Sequence, residues 1–270
     1  MATPDINFSP RRVGALLLRH LYLMGASWPR LLEMVYWPTV QMILWGFITL
    51  FLATNSSYIA QAAGILLSSV LLWDVLFRGQ LGVALVFLEE IYSRNLGHLF
   101  VSPLRPSEMI TGLVLLSLLR TLIGVGGATL VAIPLFHYNL FDMGLPLIAF
   151  FLNLVIMSWG IGLVIAGLLL RFGLGAESIA WAAIFALQPV SAVFYPVAIL
   201  PSWLQPVAWT LPASHIFEGM RELLLQHTLN HTHLLWAALL NIVWLGVGIA
   251  TFLAFFRAAR RRGLLLQVGE

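Results

Sequence analysis

The sequence contains no cysteine and no lysine, and only 9% of its 270 residues are charged. Without cysteine there can be no disulfide, no zinc–thiolate centre and no thiol nucleophile. With so few charges the chain cannot clothe itself in polar surface, since a soluble domain carries roughly a quarter charged residues. The fourteen basic residues are all arginine, and the formal net charge is +3. They are dispersed rather than gathered on one face, which argues against a nucleic-acid partner. A phosphate-binding loop, a nucleophile elbow and a metal-ligand motif are all missing, so the sequence encodes no nucleotide-hydrolysing site and no metal site. There is no internal repeat and no low-complexity tract. The first residues, with Asp5, Asn7, Ser9 and Pro10, do not read as a secretory leader, which needs a short apolar core followed by a small-residue cleavage site.

What the chain has instead is apolar length. Hydrophobic residues make up 60% of it, enough for about six spans of about 20 residues each. The pattern predicts an all-α polytopic membrane protein with spans over 31–52, 60–88, 110–135, 145–170, 178–195 and 234–256. Residues 1–30 form a tail and an amphipathic interface helix, in which Arg11, Arg12, Arg19 and His20 interrupt apolar positions and Pro29 ends the run. Residues 31–256 are the transmembrane domain, and 257–270 are a tail. Between the fifth and sixth spans, Pro196, Pro201, Pro206 and Pro212 recur through apolar sequence. Each proline removes a backbone donor, so no straight spanning helix fits there. Broken backbone at membrane depth survives only where protein or a water-filled cavity satisfies it. The expectation is a re-entrant pair of short helices over 196–225, the second carrying Glu218 and Arg221.

Orientation follows from arginine placement. Eleven of the fourteen arginines fall on one side of the predicted spans, and the other side has only Arg221. The positive-inside rule places the rich side, with both termini, in the cytoplasm of a bacterial inner membrane, and requires an even number of spans.

Few polar groups lie inside the spans. Asp74 and Arg78 are four apart in the second span, on one helix face, where they can pair. They read either as a polar lining for a substrate route or as a structural pair. Arg120, in the third span, is placed to snorkel toward the arginine-rich side or to meet Asp74. Phe194 and Tyr195 stand among aromatic residues that suit packing or an amphipathic cargo. His227, His231 and His233 read as a solvated loop rather than a metal site, because no matching carboxylate accompanies them.

The most specific stretch is 89–110. It opens with Glu89 and Glu90, continues through Arg94, Asn95, Leu96, Gly97, His98, Leu99 and Phe100, and closes on Val101-Ser102-Pro103-Leu104-Arg105-Pro106 followed by Glu108. Read physically, it is a short amphipathic helix and a proline-limited turn. Leu96, Leu99 and Phe100 form an apolar ridge of the kind that marks a protein contact. This run resembles the coupling segment of the ABC type-2 exporter permeases, the membrane subunits of drug, polysaccharide and lipid exporters. The order of parts is also similar along nearly the whole chain: an amphipathic N-terminal helix, six spans, and a proline-broken hairpin before the last. One departure is Thr111, where a basic residue often follows the segment in that family.

The resemblance implies a dimer of permeases, each bound to a cytoplasmic ATPase subunit that alone holds ATP and Mg2+. It implies that Glu89, Glu90, Arg94, Leu96, Gly97, Leu99, Phe100, Pro103 and Arg105 form the ATPase-coupling segment, and that the hairpin lines the exit. No cofactor is expected in this chain. The rival classes are an ion-driven secondary transporter, for which Asp74 is the one plausible buried acid, and a membrane scaffold or assembly factor.

Overall fold

The computed structural model describes residues 8–55, 57–92 and 102–262, and every regular element among them is helical. Helix α1 (Pro10–Gly25) opens with proline in its first turn, where the missing N–H has no intrahelical partner to lose. Its residues Val13, Leu16, His20 and Met24 recur every three or four positions and are all buried on one face. The chain then turns at Ala26 and Ser27 into α2 (Trp28–Asn55). The break thus falls before Pro29, which sits in the first turn of α2 rather than ending α1 as the sequence pattern suggested.

Helix α3 (Ser57–Tyr92) is 36 residues long and continues past the predicted end of the second span at 88. It is followed by α4 (Pro106–Phe136), a 3-10 turn (Leu140–Met143), α5 (Leu145–Phe172), a second 3-10 turn (Gly173–Ala176) and α6 (Glu177–Val190). A third 3-10 turn (Val197–Ile199), α7 (Gln205–Trp209), α8 (Pro212–Gln226) and α9 (His231–Arg262) complete the chain. Helices α4 and α8 each end on a left-handed histidine, His137 (φ 50°) and His227 (φ 55°), a conformation that stops a helix by pointing the chain away from its axis.

Contacts fix the directions. Phe136 packs over Gly46, and Gly124 faces the Met34 carbonyl, so α2 and α4 run the same way. Helix α3 runs against them, with Arg78 beside Gly124 and Met109 near Phe87 and Glu90. Helix α5 runs with α3, since Ser158 meets Gly79 and Gly162 meets Val83. Helix α9 runs with α5, through Asn241 on Asn153, Gly248 on Gly160 and Phe255 on Gly167. One end of the bundle therefore gathers α1, the starts of α2 and α4, and the ends of α3, α5 and α9, with Arg257, Arg260 and Arg261. The far end carries the 3-10 turn before α5 and the junction between α8 and α9.

Among the described residues, five helices are long and apolar enough to cross a membrane: Leu31–Phe51, Gly64–Glu90, Pro106–Phe136, Leu145–Phe172 and His231–Arg261. Within the most apolar window of each, α3 is 78% buried and α2 and α9 only 22%. Helix α3 is thus the central post, while α2 and α9 keep wide apolar outer faces. The predicted fifth span differs from expectation. Helix α6 has 14 residues, about 21 Å of rise against a hydrocarbon core of about 30 Å. Pro189 lies in its last turn, and the backbone leaves through Ala192 in the left-handed region (φ 51°).

Candidate functional site

Among the described residues, polar groups collect in three places besides the histidines at the α8–α9 junction. The first is an ionic collar at the arginine-rich end. Glu108, the third residue of α4, is fully buried. One carboxylate oxygen accepts from the Ser9 backbone N–H at 2.8 Å and from Arg12 at 2.7 Å, and the other accepts from the Arg105 N–H at 3.0 Å. A glutamate in the third position can reach back to the N–H that precedes the helix. Here the same side chain also fastens the start of α1. Arg19 grips both oxygens of Glu90, at 2.6 and 3.1 Å. His20 is buried beside it, with Nε2 3.5 Å from Glu90 and Nδ1 against the Leu16 carbonyl at 3.0 Å. Since a carbonyl only accepts, Nδ1 carries the hydrogen. Burial holds the His20 imidazole below the ordinary histidine value, and the Leu16 carbonyl and Glu90 only partly offset it.

Arg120 pairs with Glu89 at 3.2 Å. Side chains lean toward the start of their own helix, and α4 starts at the arginine-rich end. Arg120 therefore reaches that way, as snorkelling predicts, yet its terminus is a carboxylate of α3 and not a lipid headgroup. Tyr92, the last residue of α3, donates to Glu177 of α6 at 2.6 Å.

These contacts place Glu89 and Glu90 as anchors for α4 and α1. Pro103 is exposed, and the Arg105 backbone N–H is held by Glu108. Arg94, Leu96, Gly97, Leu99 and Phe100 lie outside the described residues. The sequence names Glu108 within the 89–110 stretch but not its partners Ser9 and Arg12, although its spacing after Pro106 is a recognisable helix-start pattern.

The second place is the middle of α3. Arg78 Nε donates to Asp74 at 2.6 Å, with both side chains largely buried. The pair expected from spacing is formed. Its room comes from Gly124 of α4, where an added Cβ would stand 2.9 Å from the Arg78 Cδ and from the Met34 carbonyl oxygen.

The third place is the broken segment 191–211. Its prolines Pro196, Pro201 and Pro206 lie outside long helices, and Pro212 starts α8. Arg221 of α8 donates to the carbonyls of Ala192 and Val193, at 3.0 and 3.3 Å, and to Glu218 at 3.2 Å. Glu218 in turn accepts from the Val197 N–H at 2.6 Å. One ion pair thus satisfies the backbone that the left-handed turn at Ala192 leaves open. Helix α8 thus clamps the segment, and protein groups satisfy its broken backbone. Phe194 stacks on Trp45 of α2 at 4.5 Å, and the Tyr195 hydroxyl donates to the Pro189 carbonyl at 2.7 Å.

The predicted solvated histidine loop agrees with His227, which caps α8, and His231, which starts α9, both exposed; it is corrected at His233, which is half-buried with Nδ1 3.1 Å from Nδ1 of His215. Among the described residues no group of three or more histidines and acids could hold a metal.

Five helices of spanning length, packed on one another with their arginines gathered at one end, define a multi-pass membrane protein. The family model described as ABC-2 type transporter matches residues 15–225, and the chain belongs to that family of membrane transport components. No curated protein matches it in sequence.

Proposed function

We propose that the chain is the permease subunit of an ATP-driven exporter, which moves an amphipathic, lipid-like, drug or saccharide substrate out of the cytoplasm or inner leaflet. The observation that carries this reading is the extent of the family match, which runs from α1 through the 89–110 segment and the broken segment to residue 225, near the end of α8. ATP and Mg2+ belong to a separate ATPase subunit, since the sequence holds no phosphate-binding loop. The working unit is a dimer of permeases in the bacterial inner membrane, with the arginine-rich end and both termini in the cytoplasm. Six crossings are required for that arrangement. Helix α6, continued by the segment that brings Phe194 onto Trp45, supplies the sixth. Residues 196–225 form the re-entrant exit hairpin, a reading supported by the Trp244 indole of α9, which reaches the Thr210 carbonyl at 3.1 Å.

In this mechanism the ATPase pushes on the apolar ridge of Leu96, Leu99 and Phe100. The push enters α3 and α4 together, because Glu89, Glu90 and Glu108 tie α1, α3 and α4 into one unit at that end. At the far end the clamp of Glu218 and Arg221 makes the preceding segment, 191–211, travel with α8. The exit therefore opens by movement of α8 against α9 and not by local melting of the prolines. An ion-driven transporter is less well supported, because Asp74 is engaged by Arg78.

A disulfide tests the moving part. A Cβ built on Gly219 lies 3.5 Å from the His233 Cβ, within the span that a disulfide bridges, and the chain has no other cysteine. The double variant Gly219→Cys, His233→Cys is expected to lose ATP-dependent transport on oxidation and to regain it on reduction. Equal transport by the oxidised and reduced forms would show that α8 does not move against α9 during the cycle.

A further inference from the structure

The two histidines at the far end form a device that the permease reading does not use. His215 is 7% exposed and lies in the first turns of α8, and His233 lies in the first turn of α9. The His215 Nε2 faces the Trp209 carbonyl of α7 at 3.1 Å. A carbonyl only accepts, so Nε2 carries the hydrogen and, in the neutral ring, Nδ1 is a bare lone pair. That lone pair faces Nδ1 of His233 at 3.1 Å, so His233 must donate from Nδ1. The remaining nitrogen of His233, Nε2, stands 3.7 Å from Glu222. Aromatic faces close the cluster, with Trp209 stacked on His233 at 5.7 Å and Trp236 on His215 at 6.5 Å. Three elements therefore meet on one Nδ1–H···Nδ1 bond: α7, α8 and α9.

We propose that the His215–His233 pair is a proton-limited latch, which fastens α7 and α8 to α9 while it carries at most one positive charge and releases them when both rings are protonated. The proton inventory gives the reason. A first added proton has a place at His233 Nε2, toward the Glu222 carboxylate, and leaves the Nδ1–H···Nδ1 bond intact. A second can enter only at His215 Nδ1. Two N–H groups would then point at each other across 3.1 Å, between two cations, and the rings must part. Among the described residues, the ionisable groups that face the pair are Glu222 from α8 and the two rings themselves; α7 contributes a carbonyl and an indole, and α9 a second indole. His215 is held below the ordinary histidine value, first by burial, with His233 adding to the depression and the Trp209 carbonyl opposing it. A base with a depressed value stabilises the closed form fully above its unfolded value and progressively less as pH falls toward the depressed one. The latch thus opens with acid on the side opposite the termini.

Whether release alters export rests on the permease reading. The latch itself is tested without an ATPase or a substrate. Spin labels are attached at Val207→Cys on α7 and Leu145→Cys on α5, both exposed positions in a chain without native cysteine. Distances are measured in lipid nanodiscs between about pH 8 and about pH 5, the interval in which an ordinary histidine titrates. One narrow distance population at the alkaline end, giving way to a second as pH falls, is expected. The same measurement on His233→Gln is expected to show no pH dependence. Its amide can turn to donate to a neutral His215 or accept from a protonated one, so the bond survives in both states. A wild-type distribution that is the same at both ends of the range would overturn the latch, as would a His233→Gln protein that titrates like wild type. Either failure leaves the permease reading untouched.

Discussion

Replacing Gly248 by valine is expected to prevent stable folding, whereas Gly246→Val two residues away is expected to be nearly neutral. Helices α5 and α9 touch backbone to backbone where Gly248 meets Gly160. A Cβ on Gly248 would stand 2.9 Å from the Gly160 Cα and closer still to its carbonyl oxygen. In a membrane there is no water to drive helices together, so close approach at small residues supplies much of the attraction. A side chain here cannot be accommodated by a rotamer change, because the atoms it meets are main chain. Overpacking costs about 1–3 kcal/mol where side chains can yield, and this site should exceed that upper figure. Gly246 has nothing within 4 Å of its added Cβ. Thermal unfolding in detergent separates the two cases, and equal melting of both variants would show that α5 and α9 do not cross as described.

The second large effect belongs to Arg221. Arg221→Met is expected to destabilise the protein by about 3–5 kcal/mol, the range for removing one partner of a buried pair. It strands the Glu218 carboxylate and leaves the Ala192 and Val193 carbonyls without their donor. An isolated ion pair can be replaced whole by apolar groups at little cost. Arg221 is more than half of a pair, so the double variant Glu218→Gln, Arg221→Met should recover only part of the loss. Full recovery would mean that the carbonyl contacts contribute nothing.

Much of this architecture is legible in the residues. The apolar runs gave the long helices, because burial in lipid depends on summed hydropathy that any window reveals. The spacing of Asp74 and Arg78 gave their pair, since four residues bring side chains together on a helix. Four prolines in apolar sequence gave the broken segment. What could not be read are partnerships across the fold. Glu90 meets Arg19 across 71 positions and Arg120 meets Glu89 across 31, and no periodicity links them. His233 looked like loop because its neighbours are polar, yet it lies under Trp209. The 14-residue length of α6 was hidden because apolar sequence continues past Val190 while the backbone turns away. The apolar ridge of the 89–110 segment, the most specific feature of the sequence, lies outside the described residues, and its role rests on sequence and on membership of the family.

The protein, tagged and extracted in mild detergent, would be purified alongside Leu96→Asp and Leu99→Asp, with partners identified by mass spectrometry and ATP hydrolysis measured on each eluate. An ATP-binding cassette subunit and its activity are expected to accompany the wild type and to be lost from both variants, while the variants themselves remain in the membrane. A wild-type protein that brings down no ATPase, or aspartate variants that retain it undiminished, would contradict the assignment of this chain as the membrane half of an ATP-driven exporter coupled through that ridge.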